Sequence, residues 1–369
     1  MNPQEEFCPN MDCPDRGKIG KGNIICHSQQ EKRCKCKSCG KTFSVSKGTA
    51  LFGMKKSHEL FVIVVTLLAF GCPVQAIVQA LSLDERTVRS WWLKSGEQSE
   101  KVHASVIGSS QLDLQQVQAD EIKVNIQGGI IWMAMAMMVS TRLWLGGVTS
   151  AKRDKSLIKA LVAKVRQVAL CRDLLLAVDG LSSYVDAFRK AFRSPLPTGQ
   201  FGRPRLIAWQ GIHIVQVVKR STSAGLSIER RIVQGCQDKI QQLLEQSRGG
   251  TVINTAYIER LNATFRQRIA CLTRRSRQLA RQQHTLQASM YLVGTVYNFC
   301  CPQRSLRQAL WLTTLRKRWV QRTPAMATQL TDHIWTVHEL MTFKVPPTPY
   351  TPPKKRGRPP KKTFLGDVA

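Results

Sequence analysis

The sequence predicts a multidomain α/β protein, and three observations lead to that prediction. The chain has 369 residues, which is enough for two or three domains. Hydrophobic residues make up 43% of it, so a sizeable core can be buried. A cysteine-rich segment is followed by a helical one and then by alternating strands and helices, the pattern of layered α/β proteins. We therefore expect a small N-terminal domain, a helical module and a core built on a mixed sheet.

The charge balance indicates a polyanionic partner. There are 55 Lys and Arg residues against 24 Asp and Glu residues, a formal net charge of +31. Residues 260–331 contain thirteen Lys or Arg and no acidic residue, whereas ordinary surfaces mix both signs. Neutralised phosphates release counterions, and this favours binding to DNA. A basic protein of a membrane surface or a ribosome is the alternative.

No targeting or membrane segment is visible in the sequence. Residues 1–7 hold two Glu and no apolar run, unlike a signal peptide. The longest apolar run, residues 60–70, is shorter than the roughly 20 residues that a bilayer requires. We expect a cytoplasmic, nucleoid-associated protein without membrane contact. Thiols stay reduced there, so twelve cysteines call for an explanation other than disulfides.

Residues 1–47 are predicted to form a zinc ribbon. Four residues separate Cys8 from Cys13 and two separate Cys36 from Cys39, with 22 residues between the pairs. Two tight pairs can close one tetrahedral Zn²⁺ site and so fold a segment with little apolar content. Gly40 suits the tight turn after the second pair. Other potential ligands lie nearby, namely Cys26, His27 and Cys34, the last of which also fits a strand residue facing the small core.

Residues 48–110 are predicted to contain a helix-turn-helix and a connector. Asp84 is suited to cap the last helix, which buries Val88 and either Trp91 or Trp92. The expected segments are helices at 57–70, 73–81 and 85–94 and an irregular connector at 97–111. The outer face of the last helix offers side chains for the major groove: Arg86, Thr87, Arg89 and Ser90. A plain helical bundle with a solvated charged face is the alternative.

Residues 111–300 are predicted to form the mixed-sheet core. Runs of apolar and β-branched residues alternate there with segments of helical period. The expected strands are 117–126, 130–139, 143–148, 174–178, 206–218 and 228–233, and the expected helices are 154–169, 182–192 and 254–269. Residues 301–345 are predicted to be a helical extension, and residues 346–369 a disordered basic tail.

Three acidic residues of the core have unusual settings. Asp120 lies within the first strand, Asp179 ends the apolar run 174–178, and Glu259 lies on a helix. A carboxylate in or at the end of a buried strand is costly unless it is paired or binds a metal. Two Mg²⁺ ions about 4 Å apart are suited to phosphodiester cleavage, and they take carboxylate ligands. These residues could therefore hold the metal ions of a DNA-cleaving site.

The same acids also have other interpretations. Asp113 or Glu121 could replace Asp120 as the first ligand. Asp179 could cap the helix that begins near residue 182. Glu259 could pair with an arginine of its own helix, at position 260 or 266.

Several motifs together resemble small bacterial insertion-sequence transposases of the DDE class, and the resemblance covers roughly residues 8–340. The motif around Glu259 is the most specific, followed by the cysteine pairs. The matching motifs are Cys36-Lys-Ser-Cys-Gly-Lys-Thr-Phe43, Thr87-Val-Arg-Ser-Trp-Trp92, Ala119-Asp-Glu121, Ala177-Val-Asp-Gly180, Asn254-Thr-Ala-Tyr-Ile-Glu-Arg-Leu-Asn262 and Tyr297-Asn-Phe-Cys300.

The resemblance implies a ribonuclease H-like catalytic core with Asp120, Asp179 and Glu259 as catalytic residues and ligands of two Mg²⁺ or Mn²⁺ ions. It implies cleavage of double-stranded DNA at terminal inverted repeats and transfer of 3′-OH ends to target DNA. Asn262 and Arg266 share the helix face of Glu259 and are expected to contact DNA. Joining two ends suggests a homo-oligomer on DNA. A non-catalytic DNA-binding regulator and a nuclease that cuts without joining are the competing functions.

The tail contains an AT-hook-like motif. Arg356-Gly357-Arg358 is followed by proline and surrounded by lysines. Glycine allows an extended backbone to enter a narrow A·T minor groove, where arginines follow the negative potential. A solvated basic tail that touches DNA non-specifically is the alternative.

Overall fold

The structure is a computed structural model that describes residues 2–196, 202–222, 225–274, 279–280, 282–311, 317–347, 350 and 352. These residues form two compact units. One comprises the described residues up to Gly48 together with those from Pro346 onward, and the other is Thr49–Val345. The expected helical module, mixed-sheet core and C-terminal extension therefore all lie within the second unit. Arg356, Gly357 and Arg358 lie outside the described residues.

The smaller unit is built on three short antiparallel strands. They are β1 (Ile24–Ser28), β2 (Arg33–Cys36) and β3 (Thr42–Ser44), paired in that order. Its apolar core cluster consists mostly of cysteines, namely Cys8, Cys13, Cys34 and Cys36, together with Ile24 and Phe43. Cys34 lies in β2 opposite Phe43, which agrees with its interpretation as a core-facing strand residue. An apolar core of this size calls for a further stabilising element.

Three helices open the larger unit: α1 (His58–Ala69), α2 (Val74–Leu81) and α3 (Glu85–Val106). Ser82 ends α2 in the left-handed region, with φ 49°, and this makes the sharp turn between the helices. Asp84 caps α3 as predicted, because its carboxylate accepts hydrogen bonds from the backbone N–H groups of Arg86 at 2.8 Å and Thr87 at 3.3 Å.

Helix α3 is longer than the sequence predicts. The expected end near Lys94 and the irregular connector at 97–111 are wrong, since the helix continues to Val106. The second half of α3 buries polar as well as apolar side chains, including Ser95, Gln98, Ser99 and His103. A pattern based on apolar residues cannot detect a buried face of this kind.

The core contains a six-stranded mixed sheet with helices before and after its strands. In chain order the elements are β4 (Gln116–Ile126), β5 (Gly129–Met138), β6 (Trp144–Ser150), α4 (Lys155–Val168), β7 (Leu174–Asp179), α5 (Ser182–Ala191), β8 (Arg193–Pro195), β9 (Leu206–Ala208), β10 (Ile212–Thr222), β11 (Gly225–Gln234), α6 (Gln237–Gln246), α7 (Ala256–Arg268) and α8 (Gln283–Thr295). The mixed α/β class expected from the sequence is confirmed. The single strand expected at 206–218 is instead divided between β9 and β10.

The strand order of the large sheet is β11-β10-β7-β4-β5-β6. The three central strands β10, β7 and β4 are parallel to one another, and β5, β6 and β11 are antiparallel to their neighbours. Apolar side chains of α4 and α5 pack with one set of sheet residues. Those of α6, α7 and α8 pack with the alternate set. The sheet therefore lies between two helical layers.

The C-terminal part of the larger unit is not the helical extension that the sequence predicts. After α8 a short π-helical turn covers Val296–Cys300. An antiparallel hairpin and two short helices follow, namely β12 (Gln308–Trp311), β13 (Lys317–Val320), α9 (Pro324–Ala327) and α10 (Val337–Thr342). Pro302 has no N–H to continue a helix. Among the described residues, no helix combines the length and the apolar character needed to cross a membrane.

Candidate functional site

Four cysteines of the smaller unit form a cluster able to bind a metal ion. The Sγ atoms of Cys8, Cys13, Cys36 and Cys39 all lie within 4.8 Å of one another, and three of the four residues are buried. Cys8 and Cys39 are 3.7 Å apart, and Cys13 and Cys36 are 3.8 Å apart. The two sequence-predicted pairs thus converge on one point, as a tetrahedral thiolate site requires.

The loops of the cysteine cluster are held by turns and polar contacts. Gly40 adopts φ 69°, and its N–H donates to the Cys36 carbonyl at 2.8 Å, which confirms the predicted turn. Burial raises the pKa of the Cys39 thiol, but hydrogen bonds from the Lys41 backbone and Asn10 outweigh it and lower that pKa to about 7. The alternative ligands Cys26 and His27 are exposed on β1.

The second cluster lies where β4 and β7 run side by side in the sheet. Ala119 is opposite Val178 in the parallel register, which brings Asp120 of β4 beside Asp179 at the end of β7. Carboxylate oxygens of Asp120, Glu121 and Asp179 lie within 4.8 Å of one another. Oxygen donors at this spacing suit a hard divalent cation such as Mg²⁺.

The surroundings of Asp120 disfavour its ionised form. Its oxygens accept hydrogen bonds from the Asn262 side-chain amide at 2.7 Å and the Glu121 backbone N–H at 2.8 Å. Burial and the negative charge of Glu121, with smaller contributions from Asp179 and Glu259, raise the pKa of Asp120 to about 7. A bound cation would relieve this repulsion, so the residues present fit a metal site.

Glu259 faces the same cleft from α7, and the cleft is lined by all three predicted acids. Its carboxylate accepts hydrogen bonds from Lys219 of β10 and from the Thr255 hydroxyl, the latter at 2.7 Å. Burial raises the pKa of Glu259, but Lys219 and Thr255 outweigh it and lower that pKa. Glu259 lines the cleft, but it is not one of the three acids whose oxygens lie within 4.8 Å of one another.

Glu121 is hydrogen-bonded to Arg153 and Tyr184. The sequence had left it open as an alternative ligand. Its side chain is only 1% exposed. It accepts hydrogen bonds from Arg153 Nε at 2.7 Å and from the Tyr184 hydroxyl at 2.9 Å. Arg153 also lies 3.5 Å from Asp179. The other alternative, Asp113, pairs with Arg172 at 3.1 Å and does not line the cleft.

Basic side chains line the cleft beside the acids. They are Arg153, Lys219, Arg266 and Arg274. Only Arg266 was predicted from the sequence, because the others lie far from the acidic motifs along the chain and no local pattern marks them. Asn262 also lines the cleft, on the same helix as Glu259 and Arg266. It is only 1% exposed and its amide donates to Asp120, and its contact to DNA stays a prediction.

The predicted recognition helix is the first half of α3. Arg86 and Ser90 are exposed and Thr87 is partly buried. Arg89 is also partly buried and is paired with Glu85 through Nε at 2.6 Å. Val88 and Trp91 are buried and hold the helix against the core, and Trp91 is thus the more buried of the two predicted tryptophans. The outer side of the helix is thus available to a partner, as a helix-turn-helix requires.

Comparison with known proteins adds no identification. No model of a known protein family matches the chain, and no curated protein matches it. The two clusters, the fold and the charge are therefore the features that bear on function.

Proposed function

We propose that this protein is a DNA transposase that binds the terminal inverted repeats of its element, cleaves phosphodiester bonds and transfers the 3′-OH ends to target DNA. The observation that carries the proposal is the cleft that Asp120, Asp179 and Glu259 line together. The two aspartates lie on adjacent parallel strands and the glutamate on a helix. Residues so far apart in the sequence converge there among basic side chains. This combination suits a metal-dependent reaction on a phosphate backbone.

The strand order supports a ribonuclease H-like core for this proposal. Numbered by their order along the chain, the first five strands of the large sheet are β4, β5, β6, β7 and β10. Their order across the sheet, read from β6, is then third, second, first, fourth and fifth, and β11 is added at the edge. The second strand is antiparallel to the first, and the fourth and fifth are parallel to it. Acids at the centre of such a sheet lie where ligands collect in α/β folds.

Each side chain of the cleft has a role in the proposed reaction. Two Mg²⁺ or Mn²⁺ ions would supply an activated water or 3′-OH and stabilise the leaving oxygen. Asp120 and Asp179 would hold them, with Glu259 completing the ligand set from α7. Arg153, Lys219 and Arg266 would bind the phosphates of the DNA strand. Asn262 orients the Asp120 carboxylate through its 2.7 Å hydrogen bond.

The remaining parts are assigned to DNA recognition. The cysteine cluster would bind one structural Zn²⁺ ion, which four thiolates favour. The exposed outer face of α3 would read bases in the terminal repeats. The net charge of +31 suits a double-stranded DNA partner rather than an acidic protein surface. Joining two DNA ends would require at least two copies of the chain.

A junction assay tests the proposal. A selectable marker is placed between the DNA segments that flank the gene, the protein is co-expressed, and new junctions are sequenced. We expect junctions with the wild type and none with Asp179→Asn. The matched control is Asp173→Asn, because Asp173 precedes the same strand, pairs with Lys239 at 3.4 Å and does not line the cleft. Tight binding to the flanks without junctions would instead support a DNA-binding regulator.

A further inference from the structure

Gln118 of β4 makes an unusual connection between the sheet and helix α7. It is completely buried. Its side-chain oxygen accepts hydrogen bonds from the backbone N–H groups of Tyr257 and Ile258, both at 3.0 Å. Its side-chain nitrogen donates to the Asn254 carbonyl at 2.8 Å. The same nitrogen also donates to the Asn254 side-chain oxygen at 3.4 Å, so one amide side chain makes four hydrogen bonds to the start of α7.

These hydrogen bonds extend a local cap that covers only the first N–H group of α7, which belongs to Ala256 and donates to the Asn254 side-chain oxygen at 3.1 Å. The first N–H groups of a helix have no partner within the helix. Thr255 occupies the N-cap position, but its side chain makes no capping hydrogen bond and its hydroxyl donates to Glu259 instead. Gln118, remote in sequence, therefore satisfies donors that a neighbouring side chain usually satisfies.

The two ends of this connection carry two acids of the proposed site. Asp120 follows Gln118 by two residues on β4, so both side chains point to the same side of the strand. Glu259 directly follows Ile258, whose N–H is bound. One helical turn further on, Asn262 donates to Asp120. A shift of α7 against β4 would therefore change the separation of Asp120 and Glu259.

We propose that Gln118 is a positioning residue that fixes α7 against β4 and thereby sets the affinity of the cleft acids Asp120, Asp179 and Glu259 for divalent cations. This inference rests on the proposed function, because it takes these three acids to be metal ligands. Gln118 does not reach the metal itself. It acts through the helix that carries Glu259, as outer partners of ligands commonly do. Loss of such a partner typically weakens metal affinity by about 10- to 100-fold.

Gln116 provides a matched control on the same strand. It is also completely buried and points to the same side of β4 as Gln118. Its side-chain oxygen accepts from the Ser247 hydroxyl at 2.7 Å, at the end of α6 rather than at the start of α7. Gln116→Met and Gln118→Met therefore remove a buried amide of the same size from neighbouring positions.

The experiment compares Mn²⁺ binding in the full-length, zinc-loaded protein by electron paramagnetic resonance, with Asp179→Asn defining binding outside the cluster. Gln118→Met is expected to raise the Mn²⁺ dissociation constant about tenfold, and Gln116→Met to leave it within about twofold. Hydrogen exchange should also accelerate at the amides of Tyr257 and Ile258 in Gln118→Met alone. Equal Mn²⁺ affinity in Gln118→Met and wild type would overturn the inference.

Two further results keep the test decisive. If Gln118→Met does not fold, Gln118→Glu takes its place, because a carboxylic acid can still accept from both N–H groups. It should protect the two amides and bind Mn²⁺ more tightly than Gln118→Ser, and equal behaviour of these two variants would overturn the inference. If wild type and Asp179→Asn bind Mn²⁺ alike, the proposed function fails, and with it the metal role of Gln118. Hydrogen exchange at the amides of Tyr257 and Ile258 would then still show whether Gln118 holds the start of α7.

Discussion

The cysteine cluster and the acid cleft are both candidate metal sites, but they are built in opposite ways. The cysteine ligands come from two short sequence pairs, in a unit whose apolar core cluster consists mostly of the cysteines themselves. The acids come from β4, β7 and α7, whose positions are fixed by a large sheet and two helical layers. In the first case metal binding would organise the fold, whereas in the second the fold organises the ligands.

This difference determines what each site tolerates. If the cysteine cluster binds zinc as proposed, removal of one ligand would remove the main source of stability of that unit. Removal of an acid from the cleft relieves repulsion among carboxylates that the surrounding fold holds together. Loss of a cysteine ligand should thus reduce both activity and stability. Loss of a cleft acid should reduce activity without reducing stability.

The largest effect is expected for Cys36→Ser. Metal binding contributes about 10 kcal/mol to the folding of small zinc domains, so the residues before Gly48 should unfold. The measurements are zinc content and the rate of proteolysis within these residues. Cys26→Ser, which changes an exposed cysteine of the same unit, should leave both unchanged. A Cys36→Ser protein that remains protease-resistant and zinc-loaded would remove the contrast between the two sites.

A pH-dependent effect is expected for Asp120→Asn. Because the pKa of Asp120 is raised to about 7 in the fold, its protonated form stabilises the protein at low pH. That stabilisation is present below about pH 4 and is lost as the pH rises through 7. The variant should therefore gain on the order of 4 kcal/mol relative to wild type between pH 4 and 8.

The measurement is urea unfolding without added divalent ions, as the difference between variant and wild type at each pH. Asp113→Asn serves to control for loss of a carboxylate outside the cleft. A difference that does not change with pH would contradict the electrostatic strain assigned to Asp120.

A smaller effect is expected for Tyr184→Phe. The change removes the hydroxyl that donates to Glu121 at 2.9 Å and leaves the buried carboxylate with Arg153. An underbonded buried acceptor costs about 1–2 kcal/mol, which urea unfolding can measure. Tyr257→Phe removes a hydroxyl bonded to a backbone carbonyl at an exposed position and should cost less. Equal costs would mean that Glu121 does not depend on Tyr184.

The smallest effect is expected for Asp84→Ala. This residue caps α3 from the adjacent sequence position, and loss of such a cap costs about 1 kcal/mol. The change should lower the free energy of unfolding without altering Mn²⁺ binding, unlike the remote cap from Gln118. Ser90→Ala, on the exposed side of the same helix, is the control. A change in Mn²⁺ binding in Asp84→Ala would show that local and remote caps are not separable.

The sequence was sufficient for features set by nearby residues. The cysteine pairs, the cap at Asp84 and most strand bounds agree with the structure to within a few residues. They depend on spacing, on capping chemistry and on apolar runs, all of which act over short distances along the chain.

Features set by distant residues could not be predicted in the same way. Helix α3 continues because its polar side chains are buried, and a Cβ at Gly96 would lie 2.5 Å from Ala288 of α8. Lys219 reaches Glu259 across the cleft from a strand forty positions away. The hairpin of β12 and β13 was missed because apolar spacing does not distinguish short strands from a helix. Each case depends on a tertiary contact that single-sequence patterns do not contain.

The uninterrupted length of α3 has a geometric consequence. Its 22 residues span about 33 Å, from the exposed side chains of the first turns to Val106, and the close contact of Gly96 with α8 lies near its middle. On the proposed function, the length of α3 would set the distance between the bases that are recognised and the phosphate that is cut. Inserting one residue in its middle would rotate one end against the other by about 100°. If α3 reads the terminal repeats as proposed, substitutions on its outer face would change the bases that it recognises, whereas its length would fix the distance from those bases to the cleavage point.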